Sequence, residues 1–299
     1  MKQQYPLLII LLISSITGFT QARDRKPVEA FRSAKTINAR TTELTGKGKM
    51  DFNVTHNFGD VGGSNGGIKR FFGLDNASDV RIAFMVGVSD HFDLGLARAK
   101  GAGPQQQLIE VSGKYRFMQQ QVNDPSHPLS IALFANAVVA ANPASHFANQ
   151  DNSYADFSDR ISNAFQLILA KKMGNLSLLL NPTLITRGYA MSYDQKSIFA
   201  LGGAFRIPLA PKMNLVVDYF HPFRSATSKD SFSVNNNFKF HDPLGIGFEF
   251  LTAGHVFRLN FTNATEILEN RFIPRTITSW GKGQFRWGFT IARKFTLWR

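Results

Sequence analysis

The 299-residue sequence contains no cysteine. Disulfides, thiolate nucleophiles and cysteine-based metal sites are therefore excluded. Beyond its first two dozen residues the chain also lacks an apolar run near the roughly 20 residues that a membrane-spanning helix needs. No G-x-S-x-G nucleophile elbow occurs. None of the histidines (His56, His91, His127, His146, His221, His241 and His255) stands at a metal-ligand spacing from another. Gly62-Gly63-Ser64-Asn65-Gly66-Gly67 lacks the Lys-Ser/Thr that a phosphate-binding loop requires, and reads as an exposed loop. Acidic residues are scarce: 21 Asp and Glu stand against 34 Lys and Arg, a formal charge of +13. The bases are spread along the chain rather than clustered, which argues against a nucleic-acid surface and for membrane phosphates or anionic solutes. No catalytic residue, metal or cofactor is expected.

What is present begins with an export signal. Lys2, the apolar run Leu7 to Ile13, and the small residues Thr20 and Ala22 read as a secretory signal peptide over residues 1–22. The run is too short for a membrane anchor, the competing reading. Cleavage after Ala22 leaves 299 − 22 = 277 residues. That part must be stable without disulfides, and it is rich in phenylalanine, 28 in the whole chain, which suits a surface facing lipid or the membrane interface.

The body of the chain alternates with period two. Phe285, Trp287, Phe289, Ile291, Phe295 and Leu297 fall on one face of the last segment; Gln284, Arg286, Gly288, Thr290, Lys294 and Thr296 fall on the other. A helical period would mix these sets, so the segment is a strand. Arg293 interrupts the apolar face close enough to the chain end to reach lipid headgroups. The same pattern starts at Met50, Phe52, Val54 and Phe58, continues through Val80 to Val88, and recurs to a total of twelve segments. Most are long enough to cross a bilayer at a tilt and longer than ordinary sandwich strands. Links alternate in length: long at 59–79, 141–158, 222–243 and 263–281, short at 89–91, 172–175, 208–212 and 252–254. The expected fold is a closed, all-β antiparallel transmembrane barrel of about twelve strands, because lipid leaves no partner for a free sheet edge. A soluble sandwich, whose apolar faces would be a shared core, is the structural rival.

If the apolar face meets lipid, the opposite face lines the lumen. It carries Asp51, Arg81, Asp93, Glu110, Lys114, Arg116, Arg206, Asp218, Glu249, Arg258, Arg286 and Lys294. Charges confined in an interior are expected to pair. The surplus of bases also fits a narrow, anion-selecting pore. Inward Gly245, Gly247 and Gly288 would open local space or ease strand coiling. A barrel hydrolase would need Ser and His together on the outer face, but His56, Asn163 and Ser197 lie on strands one, six and eight. Residues 23–43 are polar and form a periplasmic segment or a lumen plug, with the barrel expected over 44–299.

Several motifs carry a family resemblance. Ala30-Phe31-Arg32-Ser33 with Ile37-Asn38, then His56-Asn57-Phe58-Gly59, then Phe72-Gly73-Leu74-Asp75-Asn76-Ala77 resemble a family of uncharacterised outer-membrane β-barrels, a domain of unknown function. Val86 to Leu96 is similar to its second hairpin. The resemblance implies fold and location but no activity. One departure is the end of the chain, where Trp298 falls out of phase with the apolar face. Two functions stay open: a narrow pore for small, anionic solutes, and a non-conducting structural or partner-binding barrel. The expected surroundings are outer-membrane lipid and lipopolysaccharide, with the protein a monomer. Phe84→Arg is expected to impair assembly and Arg286→Gln to assemble nearly normally.

Overall fold

The computed structural model describes residues 26–236, 239–252 and 254–299. The signal peptide assigned to residues 1–22 lies outside them. Twelve strands follow in order: β1 (Lys49–Asp60), β2 (Ala77–Gly87), β3 (Phe92–Ala99), β4 (Leu108–Met118), β5 (Ser130–Ala140), β6 (Ile161–Met173), β7 (Leu176–Arg187), β8 (Ser197–Ala210), β9 (Met213–Phe223), β10 (Leu244–Leu251), β11 (His255–Thr262) and β12 (Arg286–Thr296). Each pairs antiparallel with its sequence neighbours. Pairing of β1 with β12, from Lys49 opposite Thr296 to Asn57 opposite Gly288, closes the barrel. Closure leaves no unpaired edge, the condition a sheet must meet in lipid. The short connections gather at one end and the long ones at the other. The long ones include two helices, α1 (Ala226–Asn236) and α2 (Glu269–Arg275).

Facing follows the alternation. Leu96, Val111 and Phe165 on the outer surface are 55 %, 51 % and 50 % exposed. A sandwich would bury such residues, whereas a barrel presents them to lipid. The inner face divides into two halves. On β5 to β9 it is largely apolar: Phe134, Ile168, Leu179, Ile185 and Phe220 join one buried cluster. On β1 to β4 and β10 to β12 it is polar and charged. Inward leucine and isoleucine on β6 and β7 turn alternation into continuous apolar runs, Leu167-Ile168-Leu169 and Leu178-Leu179-Leu180, the pattern of strands buried on both faces. At the chain end, β12 stops at Thr296. The amides of Leu297 and Trp298 both donate to the Gly48 carbonyl and both side chains are exposed, so the strand phase no longer governs Trp298.

Candidate functional site

The lumen is occupied. Residues 26–48 precede β1 and run inside the barrel, past the position 43 assigned to the end of this segment from the sequence. They enter at the short-turn end, where the Val28 amide donates to Gln120 O (2.8 Å) and the Val122 amide to Lys26 O (2.9 Å). A tight reversal follows, closed by Thr36 N to Ala39 O (2.7 Å) and Thr41 N to Ala34 O (3.0 Å). The chain then returns and leaves with the Gly48 amide on Gly87 O (2.9 Å). Ala30, Phe31 and Ala39 pack into the apolar cluster of β5 to β9. The β11–β12 connection descends from the long-loop end to meet this segment: Leu268, Glu269, Asn270, Arg271 and Phe272 are all fully buried, and Phe272 sets its edge against Phe220 at 5.4 Å.

The wall charges hold these two inserts. Asp218 on β9 accepts from Thr36 Oγ1 (2.6 Å), Asn38 N (2.7 Å), Asn38 Nδ2 (2.9 Å) and Ala39 N (3.2 Å). Asp93 accepts from the Thr45 amide (2.8 Å) and hydroxyl (3.0 Å). Lys114 donates to Thr41 O (3.2 Å) and Glu43 O (2.5 Å). Arg258 donates to Thr36 O, Lys35 O (2.9 Å) and Ser33 Oγ (2.6 Å), and pairs with Glu249 at 3.1 Å. Arg206 bonds Asn214 (2.7 Å) and lies 3.5 Å from Glu249. At the centre Glu110 receives Arg81 (2.5 Å) and Arg40 (3.0 Å). Arg40 also reaches Glu269 (2.9 Å), which Lys35 meets at 2.9 Å. One buried ion cluster thus joins the barrel wall, the N-terminal segment and the β11–β12 insert.

The remaining charges of the inner face take other places. Asp51 is buried with Oδ1 unpartnered. Arg116 lies at the short-turn end, half-buried, donating to Asp90 O at 3.3 Å. Lys294, near the end of β12, is exposed and 3.4 Å from Leu44 O and Thr45 O. Arg286 is fully buried, paired with Asp60 at 2.5 Å and donating to Asn263 O (3.1 Å) and Thr265 Oγ1. It anchors the β11–β12 insert, so the near-neutral Arg286→Gln expected from the sequence is corrected: removing one partner of a buried pair costs about 3–5 kcal/mol. The space beside inward Gly245 belongs to the N-terminal segment, because a Cβ there would lie 2.8 Å from Ile37 Cγ2 and Asn38 Nδ2.

Sequence reasoning missed the partners in the inserts: Lys35, Arg40 and Glu43 in one, Glu266, Glu269 and Arg271 in the other. A signal existed in Ile267-Leu268 and Phe272-Ile273, apolar pairs inside an otherwise polar link. At the long-loop end, Asp151 binds Arg271 (2.5 Å) and Arg275 (3.0 Å), tying the β5–β6 loop to the insert. Burial alone would raise the Asp151 carboxyl, but the two guanidiniums outweigh it and hold it down at about 2. On the outer face, Asn163 and Ser197 flank Thr186 in one row, whereas His56 stacks on Phe289 and lies tilted against Phe58 on the opposite side of the barrel.

Between the N-terminal segment and the β1–β2–β12 wall lies a cavity of about 30 Å³, room for a water or two. Among the described residues, the N-terminal segment and the β11–β12 insert fill the lumen beside this cavity.

Comparison with known proteins places the chain. The sequence profile of a family described as "Membrane bound beta barrel domain (DUF5777)" matches residues 31–295. No curated protein matches the sequence. Among solved structures, the chain is similar to the KdgM porin (9 % identity, 83 % of this chain and 99 % of that one, TM-score 0.46). It is similar to an outer membrane channel from Pseudomonas putida F1 (12 %, 85 % and 97 %, TM-score 0.43). It also resembles the outer membrane protein Omp33 of Acinetobacter baumannii (8 %, 83 % and 97 %, TM-score 0.39).

Proposed function

Since the chain belongs to the membrane bound beta barrel domain family, we propose that it is an outer-membrane barrel, exported through a cleaved signal peptide, whose narrow lumen passes small solutes only when the N-terminal segment loosens. The observation that carries this reading is how the segment is held. Hydrogen bonds from Asp93, Lys114, Asp218 and Arg258 and the Arg40–Glu110 ion pair grip it, and among the described residues isolated bridges at Pro27 and Lys47, not a strand ladder, join it to the wall. Polar bonds of this kind exchange with water at small net cost, each contributing about 1 kcal/mol or somewhat more when charged. The barrel itself rests on the closed ladder, which the segment does not complete.

The apolar outer face supports a monomer bathed in lipid. Arg98 and Lys100, exposed toward the long-loop end of β3, suit the phosphates of lipopolysaccharide.

The second reading, a silent barrel that serves a partner, draws on the depth of the β11–β12 insert, whose Glu269 is fully buried against Arg40. Liposome swelling with small sugars and small organic anions separates the two. The intact protein is expected to leave liposomes almost impermeable, and the Arg40→Ala/Asp218→Ala variant to admit solutes. Impermeable liposomes with both proteins, each correctly folded, would establish the silent barrel.

A further inference from the structure

Inward residues away from the strand ends are buried almost everywhere among the described residues. The exceptions are Asn53 and Thr55 on β1 and Thr290 on β12, which keep partial exposure. They form one stripe: Thr55 and Thr290 are register partners with hydroxyls 3.1 Å apart, and all three line the cavity of about 30 Å³ beside the N-terminal segment. The reason for a gap at this seam is the position of the segment. Its apolar side chains Ala30, Phe31 and Ala39 adhere to the apolar half of the lumen on β5 to β9, whereas the β1–β2–β12 wall opposite offers only Met85 and Ala292 among polar residues.

The charge around this stripe is uneven. Arg40, Arg81 and Arg258 border the cavity, whereas their carboxylate partners Glu110, Glu249 and Glu269 do not; Asp51 is the acid that does. Asp51 Oδ1 and Arg258 Nε both lack a protein partner although buried. Buried polar atoms without protein partners take water where a polar cavity has room for it. The stripe is thus a polar crevice: on the wall Arg81, register partner of Thr55, and Arg258, register partner of Thr290, flank the hydroxyls, and Arg40 of the segment faces them.

We infer that this β1–β12 crevice is an access site for small anions, and, resting on the pore reading, the route by which they cross. The segment parts from the wall here first, because the β5–β9 side keeps its apolar cluster while this side is lined mainly by polar groups around a cavity. Asn53, Thr55 and Thr290 then form the pore wall that a solute touches, and the bordering arginines favour anions.

The absence of cysteine allows a direct test. Thr290→Cys and Thr55→Cys are made singly in the full chain, with Thr183→Cys on β7 as the buried inward reference. Thr183 is 1 % exposed. Each folded protein is labelled with two methanethiosulfonates of similar size, sulfonatoethyl (anionic) and trimethylammonioethyl (cationic). Thr290→Cys and Thr55→Cys are expected to react about tenfold or more faster than Thr183→Cys, since they need a smaller opening. Relative to a free thiol, the anionic reagent is expected to gain about tenfold at both sites from the positive border. Equal rates at the three positions, or a gain for the cationic reagent, would overturn the inference. Labelling needs no conduction, so failure of the pore reading shows separately, as absent solute flux.

Discussion

Asp218→Ala isolates the grip on the N-terminal segment. The carboxylate accepts four hydrogen bonds, at 2.6, 2.7, 2.9 and 3.2 Å, all from residues 36–39. Its loss strands the Asn38 amide in a buried site and leaves Ala39 N and Asn38 Nδ2 only their longer bonds to Thr36 Oγ1 (3.2 Å) and Thr262 Oγ1 (3.3 Å), where an unsatisfied group costs about 1–3 kcal/mol and each lost charged bond adds to that. Water entering from the neighbouring crevice relieves part of this, leaving a net loss of roughly 3 kcal/mol in docking the segment. At 1.4 kcal/mol per decade, that is about a hundredfold increase in the open fraction. Amide hydrogen exchange over residues 33–45 reads it directly. Exchange there is expected to rise by about two decades while strand amides stay protected, because Asp218 supports no ladder bond. Unchanged exchange would refute the anchoring role. Loss of protection throughout the strands would refute the separation between barrel and segment.

The same signature is expected from Gly245→Val, which keeps the Asp218 carboxylate in the chain but drives a side chain into Ile37, Asn38 and Asp218 Oδ1; exchange data over residues 33–45 would check it. Phe84→Arg, on the lipid face opposite Phe52 and Leu96, is expected to cost about 2–4 kcal/mol near the bilayer midplane and to impair assembly on a heat-modifiability gel. Thr290→Arg, facing the crevice, is expected to assemble. Asp151 supplies a pH test. Its carboxyl is held at about 2, below the ordinary 3.8, so its roughly 2 kcal/mol of stabilisation is complete above pH 4 and is lost as pH falls toward 2. Limited proteolysis of the β5–β6 loop is expected to be slow at pH 5 and to accelerate only below about pH 3, and Asp151→Asn to be cut readily at both.

The barrel was legible in the sequence because one rule governs it: a strand with one face in lipid alternates, and most segments from β1 to β12 do so. The same alternation assigned twelve charges to the inner face, but passed over Asp79 on β2 and Arg187 on β7, which are inward and buried as well. The partners of these charges were not legible. Alternation fixes the direction of Asp218 or Lys114 but carries no information about residues 36–43, which are far off in sequence and not in a strand. Apolar inward residues such as Ile168 and Leu179 were hidden by the rule itself, since continuous apolar runs on β6 and β7 read as a blurred outer face. They are the surface to which Phe31 adheres. The depth of the β11–β12 link was concealed by its length, which marks a loop but not its direction, and the clue in Phe272-Ile273 acquires meaning only beside Phe220.

Single-channel recording tests the central claim most directly. The intact protein in a planar bilayer is predicted to be silent or to open rarely, and Arg40→Ala/Asp218→Ala to give discrete, small, anion-preferring openings under a salt gradient. Steady conductance from the intact protein, or silence from a correctly folded double variant, would contradict a lumen closed by its own N-terminal segment.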